Sequence, residues 1–480
     1  MNQLSRIMIG GTAIVAGSML NAASRPLRQA QDRPNIVMFV VDDHGTDAIG
    51  AYGNPVIKTP NIDSIAKDGV LFKRAHCTSA SCSASRAALL TGIFGHKSGQ
   101  YGHTHAYHHM SLMPNIKSLS TYLNKAGYRS AHIGKWHLAP DSAYPFDLKL
   151  KGKDHYRNPV QMSDQLKPFI NESGEDPFFI YYCTNDPHRD GQYGQDNPYK
   201  PNCFGNRKKG YDGVTEVTYD PKEVIVPDFL PDSPECRAEL TQYYQSISRV
   251  DQGGGRMIQN LKDAGEYENT IFIYISDNGA AFPGAKTTAY EPGIQLPLII
   301  RAPGQTQRGV VSDALVSWVD IVPTLLDAAG VNYKPTAFQG KSFLKTMLEN
   351  SPGEQQQIYA SHTFHEITMY YPMRTIIGER YKLIYNIAYK LDYPAASDLW
   401  ESPTWQASLK NENQMFGKRS IKKYMQRDQF ELYDLKSDPD EVNNLAKNPE
   451  HAEVLEKMKA QLKGWQQETK DPWVLKWIRE

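Results

Sequence analysis

The sequence predicts an α/β protein: a mostly parallel β-sheet covered by helices, followed by a smaller C-terminal α+β part built on an antiparallel sheet. Three observations predict it. First, four apolar runs are continuous rather than alternating, as expected of strands buried on both faces. They lie in NIVMFVVDDHG (Ile36 to Val41), YRSAHIGKWH, PFFIYYCTNDPH (Phe178 to Tyr182) and TIFIYISDNG (Ile271 to Ile275). Second, amphipathic helical stretches fall between the runs, the alternation of an open α/β sheet. Third, from Tyr371 onward the pattern becomes alternating, which suits an antiparallel sheet with one face covered.

Taken in chain order, MNQLSRIMIGGTAIVAGSMLNAAS combines an early Arg6, an apolar run from Ile7 to Leu20 and small residues from Ala22 to Ser24. This is a secretory signal pattern over residues 1–24, so the protein is expected to be exported, periplasmic or secreted, with a lysosome-like role if the source is eukaryotic. No other segment approaches the length of a membrane span, so the mature form is expected to have none. In TPNIDSIAKDGVLF, Thr59 is placed as an N-cap, Pro60 opens the helix, and Ile62, Ile65 and Ala66 form its apolar stripe. NIKSLSTYLNKAGY puts Ile116, Leu119 and Leu123 on one face and stops near Gly127. A catalytic domain is expected over residues 33–370 and a second part over 371–480. In the latter, MRTIIGERYKLIYNI reads as a hairpin around Gly378, QFELYDL as a further strand, and Leu455, Met458, Leu462 and Trp465 as one face of a closing helix.

Composition narrows the function classes. Among 480 residues, Lys+Arg and Asp+Glu are both 53, so no global field favours nucleic acid, and an anionic substrate must be captured locally. Five cysteines without a CxxC pair are neither a disulfide framework nor a zinc pattern.

Each apolar run ends in chemically capable residues: Asp42 and Asp43; Lys135 and His137; Asn185, Asp186 and His188; Asp277 and Asn278. Ligands of open α/β sheets bind outside the carboxyl ends of the strands, so the four clusters are expected to converge on one site. Asp42, Asp43, Asp277 and Asn278 offer only hard oxygen ligands, which favours calcium or magnesium over zinc. Adjacent aspartates repel, and without a cation one of them would be protonated or displaced. Arg86, Lys135, His137, His188 and Lys286 add cationic groups, and a hard metal beside them suits transfer of a tetrahedral oxyanion, sulfate or phosphate. The loop GHTHAYHHM contains His103, His105, His108 and His109, but no acid or cysteine completes a zinc spacing, and a solvated or substrate-lining loop is the better reading.

With these residues in place the chain resembles the sulfatases of the alkaline phosphatase superfamily. In that family C-x-(P/A)-x-R followed by T-G marks a cysteine that is oxidised to formylglycine, whose hydrate is the nucleophile; the matching residues are Cys82, Ala84, Arg86, Thr91 and Gly92. The segments FHEITMYYPMRTI, SPTWQ, FELYDLKSDPDEVNNLA, GWQQETKDPWV, DPHRDGQYG and RVDQGGG further resemble the N-sulfoglucosamine sulfohydrolases of heparan sulfate breakdown. The resemblance implies an alkaline-phosphatase-like sandwich with a large mixed, mostly parallel sheet. It implies one calcium ion per chain on Asp42, Asp43, Asp277, Asn278 and the modified Cys82, and catalytic or sulfate-binding roles for Arg86, Lys135, His137, His188 and Lys286. Its substrate would be a sulfated glucosamine saccharide cleaved at the N-sulfate. O-sulfated sugars, a phosphoester, or non-catalytic glycan binding are the competing readings.

Three departures from the family pattern follow. Ala84 stands where proline is commoner, so the maturation partner is either an oxygen-dependent formylglycine-generating enzyme or an anaerobic radical-type one. Lys286 stands where the subfamily commonly has arginine. Asp190 removes one half of a disulfide near Cys203, which is therefore expected as a thiol. His365, Glu366 and Arg374 are expected to recognise the sugar, as polar groups in an otherwise aromatic segment. A homodimer is left open.

Overall fold

The structure is a computed structural model that describes residues 33–152, 154–190, 203–411 and 413–479. The expected signal peptide, residues 1–24, lies outside the described residues. Residues Arg33–Glu480 form one compact unit.

The main sheet has eight strands: β1 (Asn35–Val41), β2 (Val70–His76), β3 (Arg129–Gly134), β4 (Leu148–Leu150), β5 (Phe178–Cys183), β6 (Thr270–Ser276), β7 (Leu298–Arg301) and β8 (Val310–Ser317). Their spatial order is β4-β3-β5-β1-β6-β7-β2-β8. The pairs β4/β3, β3/β5, β5/β1, β1/β6 and β2/β8 are parallel, while β7 runs against both β6 and β2. The sheet is thus mixed and mostly parallel. Every residue of β1, β5 and β6 is buried, as their unbroken apolar runs require.

The register positions the site. Val41 pairs with Ser276, Val40 with Cys183, and Gly134 with Cys183, so β3, β5, β1 and β6 end side by side on one edge. Gly134 has φ +96°, and a Cβ there would meet the Cys183 carbonyl oxygen at 1.9 Å, so only glycine lets β3 close on β5 and still turn into Lys135.

The helix Pro60–Lys67 buries Ile62, Ile65 and Ala66 as expected, but Thr59 does not cap it. The Thr59 hydroxyl instead accepts from the Gly50 amide and donates to Asp63, because a nearby loop amide competes for it. The helix Leu119–Lys125 buries Leu119 and Leu123, while Ile116 precedes it and packs partly buried against the same core.

The second sheet is antiparallel, ordered β14-β11-β10-β9. It comprises β9 (Gln357–His362), β10 (Met373–Gly378), β11 (Tyr381–Asn386) and β14 (Phe430–Asp434). Between β11 and β14 lies a two-stranded pair, β12 (Met415–Phe416) and β13 (Arg419–Ser420). The hairpin around Gly378 is formed, and the sheet takes β9 from residues before Tyr371. The helix Ala452–Glu468 closes it with Met458, Leu462 and Trp465 buried. These residues share a core with Ala88, Phe94 and Val319, so the helix Cys82–Thr91 is packed between the two sheets. Among the described residues no helix is long and apolar enough to cross a membrane.

Candidate active site

Cys82 opens the helix Cys82–Thr91, every residue of which is buried. The helix ends at Gly92, in the left-handed region at φ +67°, where a Cβ would meet the Phe338 ring at 2.9 Å. Thr91 returns its hydroxyl to the Ala87 carbonyl at 2.7 Å. The T-G pair therefore ends the helix against a packed wall, and the other end fixes Cys82 at the sheet edge.

Around Cys82 the strand-end residues converge. Its sulfur lies within ligand reach of Asp42 and Asp277 in one group, and of Asp43 and His188 in another. Asp42, Asp43, Asp277 and Asn278 are fully buried. The Asp43 carboxylate accepts from Asn278 Nδ2 at 2.6 Å, and Asp277 accepts from the Asn278 amide at 2.8 Å. Three cations answer the three aspartates. Arg86 Nε donates to Asp277 at 2.8 Å, Lys286 Nζ to Asp43 at 2.9 Å, and Lys135 to Asp42.

Burial opposes ionisation of Asp42, but Lys135, His188 and Arg86 overcome it and hold the carboxyl well below the usual range. Burial pushes Asp277 up to about 8, opposed by Arg86 and helped by the charges of Asp42 and Asp43. The set thus carries the like-charge conflict expected of adjacent buried carboxylates. A hard divalent cation fits it, because Asp42 Oδ1 and Asn278 Oδ1 are buried without a hydrogen-bond partner and the donors of all four strand-end residues are oxygens. With Asp398 on Lys286 the cluster sets four carboxylates against three cations, so a divalent cation would turn its formal charge from −1 to +1, which suits an anionic substrate. Arg86 Nη2 also lies 3.4 Å from Asp42 Oδ1, so one buried guanidinium spans Asp42 and Asp277.

Backbone strain gathers here. Asp43 (φ 61°), His137 (φ 55°) and Thr287 (φ 69°), the last beside Lys286, adopt left-handed conformations that cost non-glycine residues about 1–3 kcal/mol each. His188 is aimed by its own loop: its Nδ1 lies 2.6 Å from the Arg189 carbonyl, so Nδ1 carries the proton and Nε2 faces Lys286 Nζ at 3.1 Å. Asp186 holds that loop by accepting from Arg157 and from Arg249 Nε at 2.8 Å. Burial, then the charges of Lys286 and Lys135, lowers the His188 pKa. Burial and Lys135 hold His137 well below its usual value.

Of the residues expected to read the sugar, Arg374 is engaged in the second sheet, while His365 and Glu366 lie beside the site with their polar groups bound to neighbours. Arg374 is fully buried, with both sides of its guanidinium on Asp471 at 2.5 and 3.0 Å and its last nitrogen on the His362 carbonyl. It braces the second sheet and has no donor left for a ligand. His365 is 2% exposed, with one ring nitrogen on Ser81 and the other on His103, both at 3.0 Å. Glu366 accepts from the Ser397 amide and hydroxyl at 2.9 and 2.8 Å, which fixes the short helix Ser397–Trp400. That helix presents Asp398, a residue absent from the sequence reading. Asp398 accepts from Lys286 at 2.8 Å, lies 4.0 Å from His188 and is 23% exposed at the mouth of the site. Nothing in its local sequence marks it, since its partners are more than a hundred residues away. All five cysteines are thiols, Cys203 included.

Comparison with known proteins adds the following likenesses. The sulfatase family model matches residues 34–331, and the model of the N-sulphoglucosamine sulphohydrolase C-terminal region matches 285–417 and 417–468. The chain is 36% identical over 460 residues to the human N-sulphoglucosamine sulphohydrolase, covering 92% of this chain and 91% of that protein. It is 26% identical to the N-acetylglucosamine-6-O-sulfatase of Bacteroides thetaiotaomicron, over 95% and 90% of the two chains. A protein solved in complex with its substrate D-glucosamine-2-N,6-O-disulfate superposes with a TM-score of 0.65 at 22% identity, over 92% of this chain and 99% of that one. A 2-O GAG sulfatase superposes with a TM-score of 0.66 at 19% identity, over 92% and 94%.

Proposed function

The chain belongs to the sulfatase family, a sulfate-ester or sulfamate hydrolase, and we propose that it removes the N-sulfate of glucosamine at the non-reducing end of heparin- or heparan-sulfate-derived saccharides. One observation carries the substrate half of this reading. The region that matches the N-sulphoglucosamine sulphohydrolase C-terminal model, 285–468, is the region that brings Lys286 and Asp398 into the pocket.

In this reading Cys82 is converted to formylglycine, which provides a hydroxyl nucleophile in place of a thiol whose ionisation burial opposes. Asp42, Asp43, Asp277, Asn278 and residue 82 would hold one calcium ion, which when bound lowers the pKa of that hydroxyl and offsets charge on the sulfate oxygens. Arg86, Lys135 and Lys286 supply fixed positive charge around the transferred group, where it stabilises charge that grows in the transition state. Lys286 Nζ gives a proton to the leaving nitrogen, and His188, its Nδ1–H held by the Arg189 carbonyl, accepts from the same ammonium through Nε2 at 3.1 Å and so aims that donor. His137 takes the proton of the second hydroxyl on residue 82. Asp398 and the rim that Glu366 fixes are the groups offered to the sugar hydroxyls. Ala84 makes an anaerobic radical-type enzyme a candidate for maturation, and residues 1–24 direct the chain to the periplasm or exterior.

The test is sulfate release from N-sulfoglucosamine beside glucosamine 6-O-sulfate. The reading expects turnover of the first. Turnover of the second alone would make the protein an O-sulfatase, and binding without turnover by protein with residue 82 converted would make it a glycan-binding member of the family.

A further inference from the structure

The histidine-rich loop is brought against the site in a way that its spacing could not reveal. His103 Nδ1 lies 3.1 Å and His105 Nδ1 2.5 Å from one atom, Nε2 of His137. An imidazole nitrogen has a single in-plane lone pair or proton and satisfies one such partner, not two. Three nitrogens drawn to one point are instead what a metal ion collects. His103, His105 and His137 offer nitrogens all within 4.8 Å of one another. In a tetrahedral zinc site, with Zn–N of about 2.0–2.1 Å, ligand nitrogens stand about 3.3 Å apart. The exposed His105 can move to open its shorter contact to that spacing.

The surroundings support ligation. The far nitrogen of His103 contacts His365 at 3.0 Å, and the far nitrogen of His365 contacts Ser81 at 3.0 Å. With each ring neutral, His103 gives its Nε2 proton to His365 and His365 gives its Nδ1 proton to the Ser81 oxygen. This relay leaves the Nδ1 lone pair of His103 pointing at the cluster, the outer partner that orients a ligating histidine.

We propose that His103, His105 and His137 form a second metal site, selective for a borderline divalent cation such as zinc, open at its fourth position, which arrests the enzyme when filled by withdrawing His137 from proton transfer. The nitrogen ligands separate it chemically from the all-oxygen set of Asp42, Asp43, Asp277 and Asn278, which prefers a hard ion. The arrest, though not the binding, rests on the role given to His137 above.

The test titrates the full chain, held in saturating calcium, with zinc followed by calorimetry and with cobalt followed by the visible bands of tetrahedral coordination. Sulfate release is measured in parallel. The proposal expects binding of the metal with matching loss of turnover, reversed by a chelator. His105→Ala and His105→Gln should keep turnover and weaken both zinc binding and inhibition at least about tenfold. Binding that depends on His105 without inhibition would retain the site and overturn the role of His137. Unchanged zinc binding in both variants, or none in the native chain, would overturn the site.

Discussion

At the scale of single residues, the account assigns chemistry to groups whose removal has distinguishable effects. Lys286→Ala removes a buried cation between Asp43 and Asp398, and kcat/KM should fall about 100-fold or more, read by steady-state sulfate release. Asp398→Asn keeps the shape of the rim but removes its charge. If Asp398 reads sugar hydroxyls, KM should rise about tenfold with kcat less affected, and an unchanged KM would remove it from substrate recognition. Arg374→Ala should leave KM unaltered and instead lower stability by about 3–5 kcal/mol, the cost of leaving Asp471 buried and unpaired, measured by chemical denaturation. Asp42, Asp43, Lys135, Asp277 and Asn278 were legible because they stand within two residues of the end of a buried strand, where a polar residue has little structural reason to be, and His188 follows five residues after β5. The partners of Arg374 and His365, namely Asp471, Ser81 and His103, were not legible because they lie far away in sequence. Asp398 was missed for the same reason.

At the scale of elements, the strands of the site were readable from unbroken apolar runs, but their order was not. That four ends meet follows from the register of β3, β5, β1 and β6, which depends on long-range pairing. Gly134 tests that register. Gly134→Ala would drive a methyl group into the Cys183 carbonyl and force φ +96° on a residue with a side chain. The substitution should cost about 1–3 kcal/mol or more and displace Lys135, so stability and turnover should fall together. The hairpin β10–β11 and the closing helix were legible from their periods. The edge strand β9 was not, since QIYASH is half polar and gains its place through the sheet and through the Ser361 amide donating to the Thr78 carbonyl at 2.7 Å. That bond ties the second sheet to the loop just before Cys82.

At the scale of the whole molecule, one compact unit holds the helix Cys82–Thr91 between two sheets, so stability and site geometry are coupled. Burial holds His96, His132 and His362 each down to about 3 from the ordinary 6.5. A histidine depressed in the folded state binds fewer protons than in the unfolded state, so its stability is complete above pH 6.5 and is lost as pH falls toward 3. One unit below 6.5 each group costs about 1.4 kcal/mol, a loss opposed by buried carboxyls such as Asp277 and Asp251, which burial raises to about 8 and about 7 and which bind protons in the folded state over the same range. His96→Gln should lose less stability than the native chain between pH 7.5 and 5.5, whereas an identical pH dependence of the two thermal midpoints would contradict the burial argument. The central claim is that residue 82, once oxidised, is the nucleophile for an N-sulfated sugar. The most direct measurement is the rate of sulfate release from N-sulfoglucosamine against the fraction of residue 82 converted, read by mass spectrometry of the Ala75–Arg86 peptide. The account predicts a rate proportional to conversion and absent in Cys82→Ala; a rate independent of conversion, or none at full conversion, would contradict it.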